Sequence, residues 1–456
     1  MDAEELEMLR AEVDALAREL ADERFRHVAG LEPRPSLQPI FRAHSPAAHR
    51  ETAAALRAQG EAGLAERVAG LRAERAAALH EEAWRAAESV AAGPGPEGPL
   101  SLAAAELGLR GESSRPRRLA LGRAAAHAIG RSAPPREAAA EARARSRAES
   151  GLSPPWEDVV EADGVLVASA DAYRDGLSWI ASREDLAPLP AGDLERADLL
   201  HLLALGAHDA LFRRASLAPE LDRAFRGLGL DASRVRLDGE DRAGKWPGAH
   251  ALEGRVSFRR QGGAADWLGL FDAAGRAAAA SYGRPSTRDP AFPAAIGALA
   301  SSLLLEPRFL ADAVGLERRH APDLVRALSV RRLFELRARA AALRVAAEVE
   351  RGTSGAAWRR LHREALSAAA LASWPDGLAA RDAGAGELSA ALRGAAWGEA
   401  LRRDLTERLD EDFWRNPRTA PALAGMLAAG GAGPATERPP LAVAAGALAR
   451  RIERGA

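Results

Sequence analysis

Ten histidines and no cysteine leave little with which to build metal or nucleophile chemistry. Without thiols, the sequence excludes disulfides, thiolate zinc sites, iron–sulfur clusters and cysteine nucleophiles. His80-Glu81-Glu82-Ala83-Trp84 opens like H-E-x-x-H. In that motif two imidazoles stand one helical turn apart on one face, within reach of a single zinc. Here tryptophan takes the place of the second ligand, and a helix surface is the expectation. His201 and His208 are seven residues apart, which is about 10 Å of helical rise, too far to grip one ion without further ligands. His44 and His49 flank a helix start and read as surface residues. Gly239 through Gly244-Lys245 has the G-x-x-x-x-G-K spacing of a phosphate loop. Trp246 replaces the magnesium-binding hydroxyl and Pro247 obstructs the helix that should follow, so the match reads as chance in a glycine-rich turn. No G-x-S-x-G elbow supports a serine nucleophile.

The elements that could position such residues are mostly helical. Leu6, Leu9, Val13, Leu16 and Leu20 alternate at three and four residues, giving one apolar stripe. The stripe is short for a coiled coil, and a helix packed on its own domain is expected. A second helical run follows Ser45-Pro46 and reaches about Val90. Ala92-Gly93-Pro94-Gly95-Pro96-Glu97-Gly98-Pro99 reads as a loop, because successive Pro and Gly stop a helix. Helices resume near Leu100, and Pro154-Pro155 marks a lobe boundary. Val165–Ile180 and Asp193–Phe212 read as helices. Strand-like pieces occupy one region, Val235–Leu237 and Leu252–Phe258, joined by a turn-rich segment. From Trp267 the chain is helical almost to its end, with breaks at Pro285–Pro293, Gly352–Gly355, Trp374–Gly386 and Asn416-Pro417.

Hydrophobic residues make up 47% of the chain and charged residues 28%, as in a folded protein. The 63 Lys+Arg and 64 Asp+Glu nearly cancel, so neither nucleic acid nor an anionic membrane is an expected partner. The arginines at 115, 117, 118, 123, 143, 145 and 147 could meet an acidic partner or RNA, but acids recur at similar density elsewhere and a solvated helix face is expected. Lys245 is the only lysine and Asn416 the only asparagine, a bias that codon composition explains. As the sole lysine, Lys245 suggests a local need such as closing its turn over Asp241. The start Met1-Asp2-Ala3-Glu4-Glu5 is acidic and lacks a basic leader region. The uncharged stretch Thr419–Thr436 is interrupted by Pro421 and Pro434, and Ala294–Leu305 is too short to span a bilayer. A cytoplasmic protein is expected.

One ordered series stands apart. Asp241-Arg242-Ala243-Gly244-Lys245 leads to Val256-Ser257-Phe258 and then to Trp267–Ala277. Leu299-Ala300-Ser301-Ser302 through Glu306-Pro307 follows, and Phe413-Trp414 stands shortly before Pro417. This layout resembles the zinc metallopeptidases of the oligoendopeptidase F and thimet oligopeptidase group. In that group an Asp-Arg…Lys segment and a short strand precede a helix bearing H-E-x-G-H and a second helix reading E-x-x-S-x-x-x-E. Glu195–Phe212 is also similar to a helix of that group, and the resemblance covers most of the chain from about residue 100.

The resemblance implies a mainly α, two-lobed helical fold with a small β-element and an interlobe cleft. An N-terminal helical lobe would span residues 1–155, and a metallopeptidase-like helical domain residues 156–456 with its β-element near 235–258. With Gly275 on the family glycine, Asp272 falls on the first histidine, Ala273 on the catalytic glutamate, Arg276 on the second histidine and Leu299 on the third ligand. Gly275, Ser302 and Glu306 still match. The implied chain has no cofactor and no zinc, and its degenerate site is Asp272, Arg276, Leu299, Ser302 and Glu306. Asp272–Arg276 would fill that site electrostatically and Leu299 sterically; an exposed helical pair with no such history is the alternative. The expected function is binding of a peptide or protein segment, with the strand at Leu252–Phe258 offering an edge. Two alternatives stand beside it: a metal-independent hydrolase using Asp272, Glu306 or His250, and a purely structural helical protein.

Overall fold

The computed structural model describes every residue except 91, 184–192, 260–261, 377, 379–383, 432–437 and 455–456, so parts of the expected Trp374–Gly386 break and of the Thr419–Thr436 stretch lie outside the described residues. Helix α1 (Ala3–Val28) starts at a reciprocal cap: the Asp2 carboxylate accepts from the Glu5 amide at 2.9 Å, and the Glu5 carboxylate accepts from the Asp2 amide at 2.8 Å. Its leucine stripe packs with α2 (Leu37–Ala43), α3 (Arg50–Ala58) and α4 (Ala62–Val90) in a core running from Leu9 to Ala78.

Residues 92–101, expected as a loop, form a hairpin of β1 (Ala92–Gly95) and β2 (Gly98–Ser101). Pro94 lies opposite Pro99, so the two residues without an amide donor occupy one pair of the ladder. Gly98 supplies a positive φ of 135° at the turn, and Gly93 lies so close to the Ala124 carbonyl that a Cβ would not fit. The Pro and Gly that exclude a helix thus permit a two-stranded ribbon. Helices α5 (Leu102–Gly111) and α6 (Arg115–Glu149) follow, and α6 packs along α4.

The larger core runs from Val159 to Ile452. Before the sheet it draws on α7 (Trp156–Ala168), α8 (Ala170–Arg183), α9 (Arg196–Leu202) and α10 (Leu217–Leu228). The expected helix Val165–Ile180 is broken at Ser169, whose buried hydroxyl donates to the Val165 carbonyl at 2.7 Å. The expected run to Phe212 ends early, because Leu205 takes a left-handed conformation. Strands β3 (Arg236–Asp238), β4 (His250–Leu252) and β5 (Arg255–Ser257) form a sheet in the order β3-β5-β4, with β3 parallel and β4 antiparallel to β5.

After the sheet come α11 (Ala264–Ala280), α12 (Phe292–Ser302), α13 (Pro307–Val314), α14 (Ala321–Glu350) and α15 (Gly355–Ala370), then α16 (Ala385–Leu409), α17 (Thr419–Ala428) and α18 (Ala442–Arg454). An aromatic series threads this region, Phe212–Trp267–Phe271–Phe309–Trp414–Phe413, with ring centroids 5.4 to 6.1 Å apart. It ties α11 to α13 and to the segment before α17, which explains the burial of Phe413 and Trp414. Among the described residues no single helix is long and apolar enough to cross a membrane.

A cleft of about 2450 Å³ is lined by residues of α4, α6, α11, α12, α14 and α16. Contacts from α1 reach across to the later chain. Asp14 accepts from Arg284 at 2.6 Å and from the Ser286 amide at 2.7 Å, and the Val28 carbonyl accepts from the Trp246 amide at 3.0 Å.

Candidate functional site

Asp272 and Arg276 lie one turn apart on α11, and Arg276 Nε donates to Asp272 Oδ2 at 2.7 Å. Their side chains are 14% and 26% exposed, so the pair sits at a wall rather than on an open surface. The exposed helical pair is therefore not what forms. Helix α12 crosses against this turn with almost no space between backbones. A Cβ on Gly275 would lie 2.8 Å from the Ile296 carbonyl oxygen, and one on Gly297 would lie 2.7 Å from both Asp272 O and Arg276 Cγ. Gly275 and Gly297 are what allow the two helices to meet here.

The third wall, α14, was not foreseen. Arg332 reaches Asp272 Oδ1 at 3.5 Å and Glu335 at 2.9 Å, and Arg331 lies 3.4 Å from Glu335. Burial alone would raise the Asp272 pKa, but the fields of Arg276, Arg332 and Arg339 outweigh it and hold the carboxyl well below its usual range. The same balance acts on Glu335: burial is overcome by Arg332, Arg331 and Arg339. Sequence spacing reveals Arg276 because it is local to Asp272. The α14 partners come from 60 residues away, and only their shared helical face, with Arg331, Arg332, Glu335 and Arg339 on three- and four-residue steps, could have hinted at them.

The remaining expected site residues do not join this group. Leu299 is fully buried in the main core. It lies two residues from Gly297, about 200° around the helix from the position that meets Arg276. Ser302 is buried too, its hydroxyl donating to the Leu299 carbonyl at 2.7 Å. It is not among the residues lining the cleft. Glu306 precedes α13 and belongs to a separate cluster. Its carboxylate lies 3.0 Å from Arg402 and 3.8 Å from Arg451, and Glu399 lies 2.7 Å from Arg402. Burial, reinforced by Glu399, pushes the Glu306 pKa up against the pull of Arg402 and Arg451.

Several other expectations also change. Glu81, expected on a helix surface, is buried under Arg24 at 3.0 Å and Arg143 at 3.2 Å, while Trp84 stacks beneath Arg85 and Arg136. Glu82 accepts from the Leu37 and Gln38 amides and so caps α2. His44 bridges Glu12 at 2.9 Å and Glu19 at 3.0 Å with only 13% of its side chain exposed. The arginine-rich face is not simply solvated. Arg118 is buried against Asp198 at 2.8 Å, and Arg147 reaches Glu350 at 3.1 Å.

Lys245 closes its turn over Asp238 and Glu240 rather than Asp241. Its buried Nζ donates to the carbonyls of Asp238 at 2.7 Å and Glu240 at 2.8 Å and lies 3.3 Å from the Asp238 carboxylate. His250 Nε2 lies 3.1 Å from the Pro247 carbonyl oxygen. Strand β5 is paired on both sides, so any edge belongs to β3 or β4 and not to the core of Leu252–Phe258.

Among the described residues no three His, Cys, Asp or Glu side chains are grouped to hold a metal ion. No protein-family model matches the chain, and the search of curated proteins finds no match. Solved structures do match. Pz peptidase A with inhibitor 2 aligns at a TM-score of 0.58 and 12% identity over 95% of this chain and 86% of its own. A protein of Bacillus anthracis str. Ames taken to be an oligoendopeptidase F aligns at 0.54 and 13% over 95% and 84%. One of Chlamydophila abortus taken to be a peptidase aligns at 0.55 and 11% over 99% and 82%. The chain therefore has the helical fold of the oligoendopeptidase F-like peptidases.

Proposed function

We propose that this chain is a catalytically inactive member of that structural group, without zinc, that holds a peptide or protein segment in its interlobe cleft. The observation that carries the reading is the ion pair on α11. Asp272, the one carboxylate at the implied ligand positions, is engaged by Arg276 at 2.7 Å and faced by Arg332. A zinc ion needs about four donors with lone pairs. Here the second position holds a fixed positive charge, Ala273 cannot act as a base, and Leu299 has no lone pair to offer. These side chains do not suit zinc, and no hydrolytic step through it is derived. Each residue that could support a metal-independent hydrolase has a partner of its own: Asp272 with Arg276, Glu306 with Arg402, and His250 with the Pro247 carbonyl.

The cleft exceeds the roughly 300–1,000 Å³ typical of a small-molecule pocket, which favours an extended peptide. The same reading puts the lobe boundary near Pro154-Pro155 and the protein in the cytoplasm. A pull-down with and without a cleft-filling substitution tests it. Ser302→Trp is unsuitable because Ser302 is in the core, whereas Ala346 lines the cleft. Ala346→Trp should abolish capture of peptides while the fold is retained. Chelator-sensitive peptide hydrolysis by the wild type would contradict the reading.

A further inference from the structure

His44 has a carboxylate against each of its ring nitrogens: Glu12 lies 2.9 Å from Nδ1 and Glu19 3.0 Å from Nε2. A neutral imidazole carries one N–H and one lone pair. It donates to only one of these acids and turns its lone pair on the other. Two donors are needed at once, and only the imidazolium has them. The ring is mostly covered, so little water reaches either bond.

The site is a corner of the N-terminal helices. Glu12 and Glu19 stand one heptad apart on α1, while His44 ends α2 and precedes the short 3-10 turn Ser45–Ala48. That turn packs on both α1 and α4, and Ala47 and Ala48 are buried in their shared core. Arg75 of α4 reaches Ser45 Oγ at 3.4 Å, and its charge opposes a charge on His44. His49 Nε2 lies 2.8 Å from the same hydroxyl, with its Nδ1 3.7 Å from Glu51 on α3. Glu82 of α4 is engaged by the first amides of α2. Glu12 and Glu19 therefore decide the charge on the ring. Burial alone would lower the His44 pKa, but the bonds and fields of Glu19 and Glu12 outweigh it and raise it.

We propose that His44 is a pH-sensitive clip, which as an imidazolium holds the α2 corner to α1 and on losing its proton releases Glu19. Glu19 is 54% exposed against 35% for Glu12, so Glu19 turns to solvent while the Nδ1 proton stays on Glu12. A histidine with a raised folded pKa stabilises fully below its unfolded pKa, about 6.5. That stabilisation is lost as pH rises through the folded value. The corner packs on α4, whose residues between 62 and 74 line the cleft, so the clip also steadies that wall. It does so whatever the cleft binds.

The full chain labelled with nitrogen-15 histidine gives the direct test by NMR, the His44 signals being those absent from His44→Gln. At pH 7 both His44 nitrogens should carry protons, and the ring should titrate above the ordinary histidine range. The neutral form should keep its proton on Nδ1. Glu19→Gln should bring the titration midpoint back toward the ordinary value. Urea denaturation between pH 6 and 10 gives a second readout. The wild type should lose its advantage over His44→Gln as pH rises, whereas His44→Arg, with several donors and a fixed charge, should keep it. Other groups that titrate in this window, Lys245 among them, are common to all three proteins and cancel in the differences. A His44 that titrates at or below the ordinary histidine range overturns the clip. A wild-type advantage over His44→Gln that is the same at every pH overturns it as well.

Discussion

Two arginine–carboxylate clusters flank the helices that the sequence singles out, and they are balanced differently. Around Glu306, two carboxylates meet two guanidiniums: Glu306 and Glu399 each contact Arg402 and Arg451 at 2.7 to 3.8 Å. Around Asp272, two carboxylates face Arg276, Arg331, Arg332 and Arg339, the last with no bond among the described residues. A closed set can only hold the fold together. An open set, with donors left over beside a cleft, can also hold something else. The Glu306 cluster fastens α12 and α13 to α16 and α18, whereas the Asp272 cluster borders the cleft through Arg276.

Removing one member from each cluster would expose the contrast. Arg402→Met strands two acids against Arg451 alone and should lower unfolding free energy by about 3 kcal/mol in urea, as expected for a broken buried pair. Gly297→Ala should cost about 1–3 kcal/mol, because the new methyl meets the Asp272 carbonyl and the Arg276 stem. Arg339→Gln should change stability by no more than about 0.5 kcal/mol, since it removes a cation from a set with surplus. A large loss for Arg339→Gln, or none for Arg402→Met, would erase the distinction between the clusters.

Acid should separate them as well. Asp272 has a lowered pKa, so its stabilisation is present above the unfolded carboxylate range and lost as pH falls toward its folded value. Glu306 has a raised pKa, so its ionisation costs stability, which returns as pH falls through its folded value. Denaturation midpoints between pH 7 and 3 should therefore fall less steeply in Asp272→Asn than in the wild type, and more steeply in Glu306→Gln. The same slope in all three proteins would contradict both assignments.

The helical architecture was legible because helices are written in local periodicity, and the leucine stripe of α1 packs where its spacing directs it. The Asp272–Arg276 pair was legible for the same reason, being one turn of one helix. What escaped depended on distant partners or on angle. Arg332 and Glu335 belong to another helix, and nothing in their own neighbourhood points to α11. Ser302 and Glu306 were placed by their spacing in the sequence, but Ser302 is buried in the core and Glu306 pairs with Arg402 and Arg451 of other helices. Glu81 looked like surface because Arg24 and Arg143 come from other helices to cover it. The hairpin at 92–101 was hidden because the same Pro and Gly that end a helix also suit a tight ribbon.

The proposed function rests on a guanidinium-engaged carboxylate, Asp272, at a position that the sequence resemblance assigns to a zinc ligand, and metal analysis tests it most directly. Purified full-length protein, incubated with excess zinc and dialysed without chelator, should retain no stoichiometric metal. Retention of stoichiometric zinc by the wild type, lost in Asp272→Ala, would contradict the account.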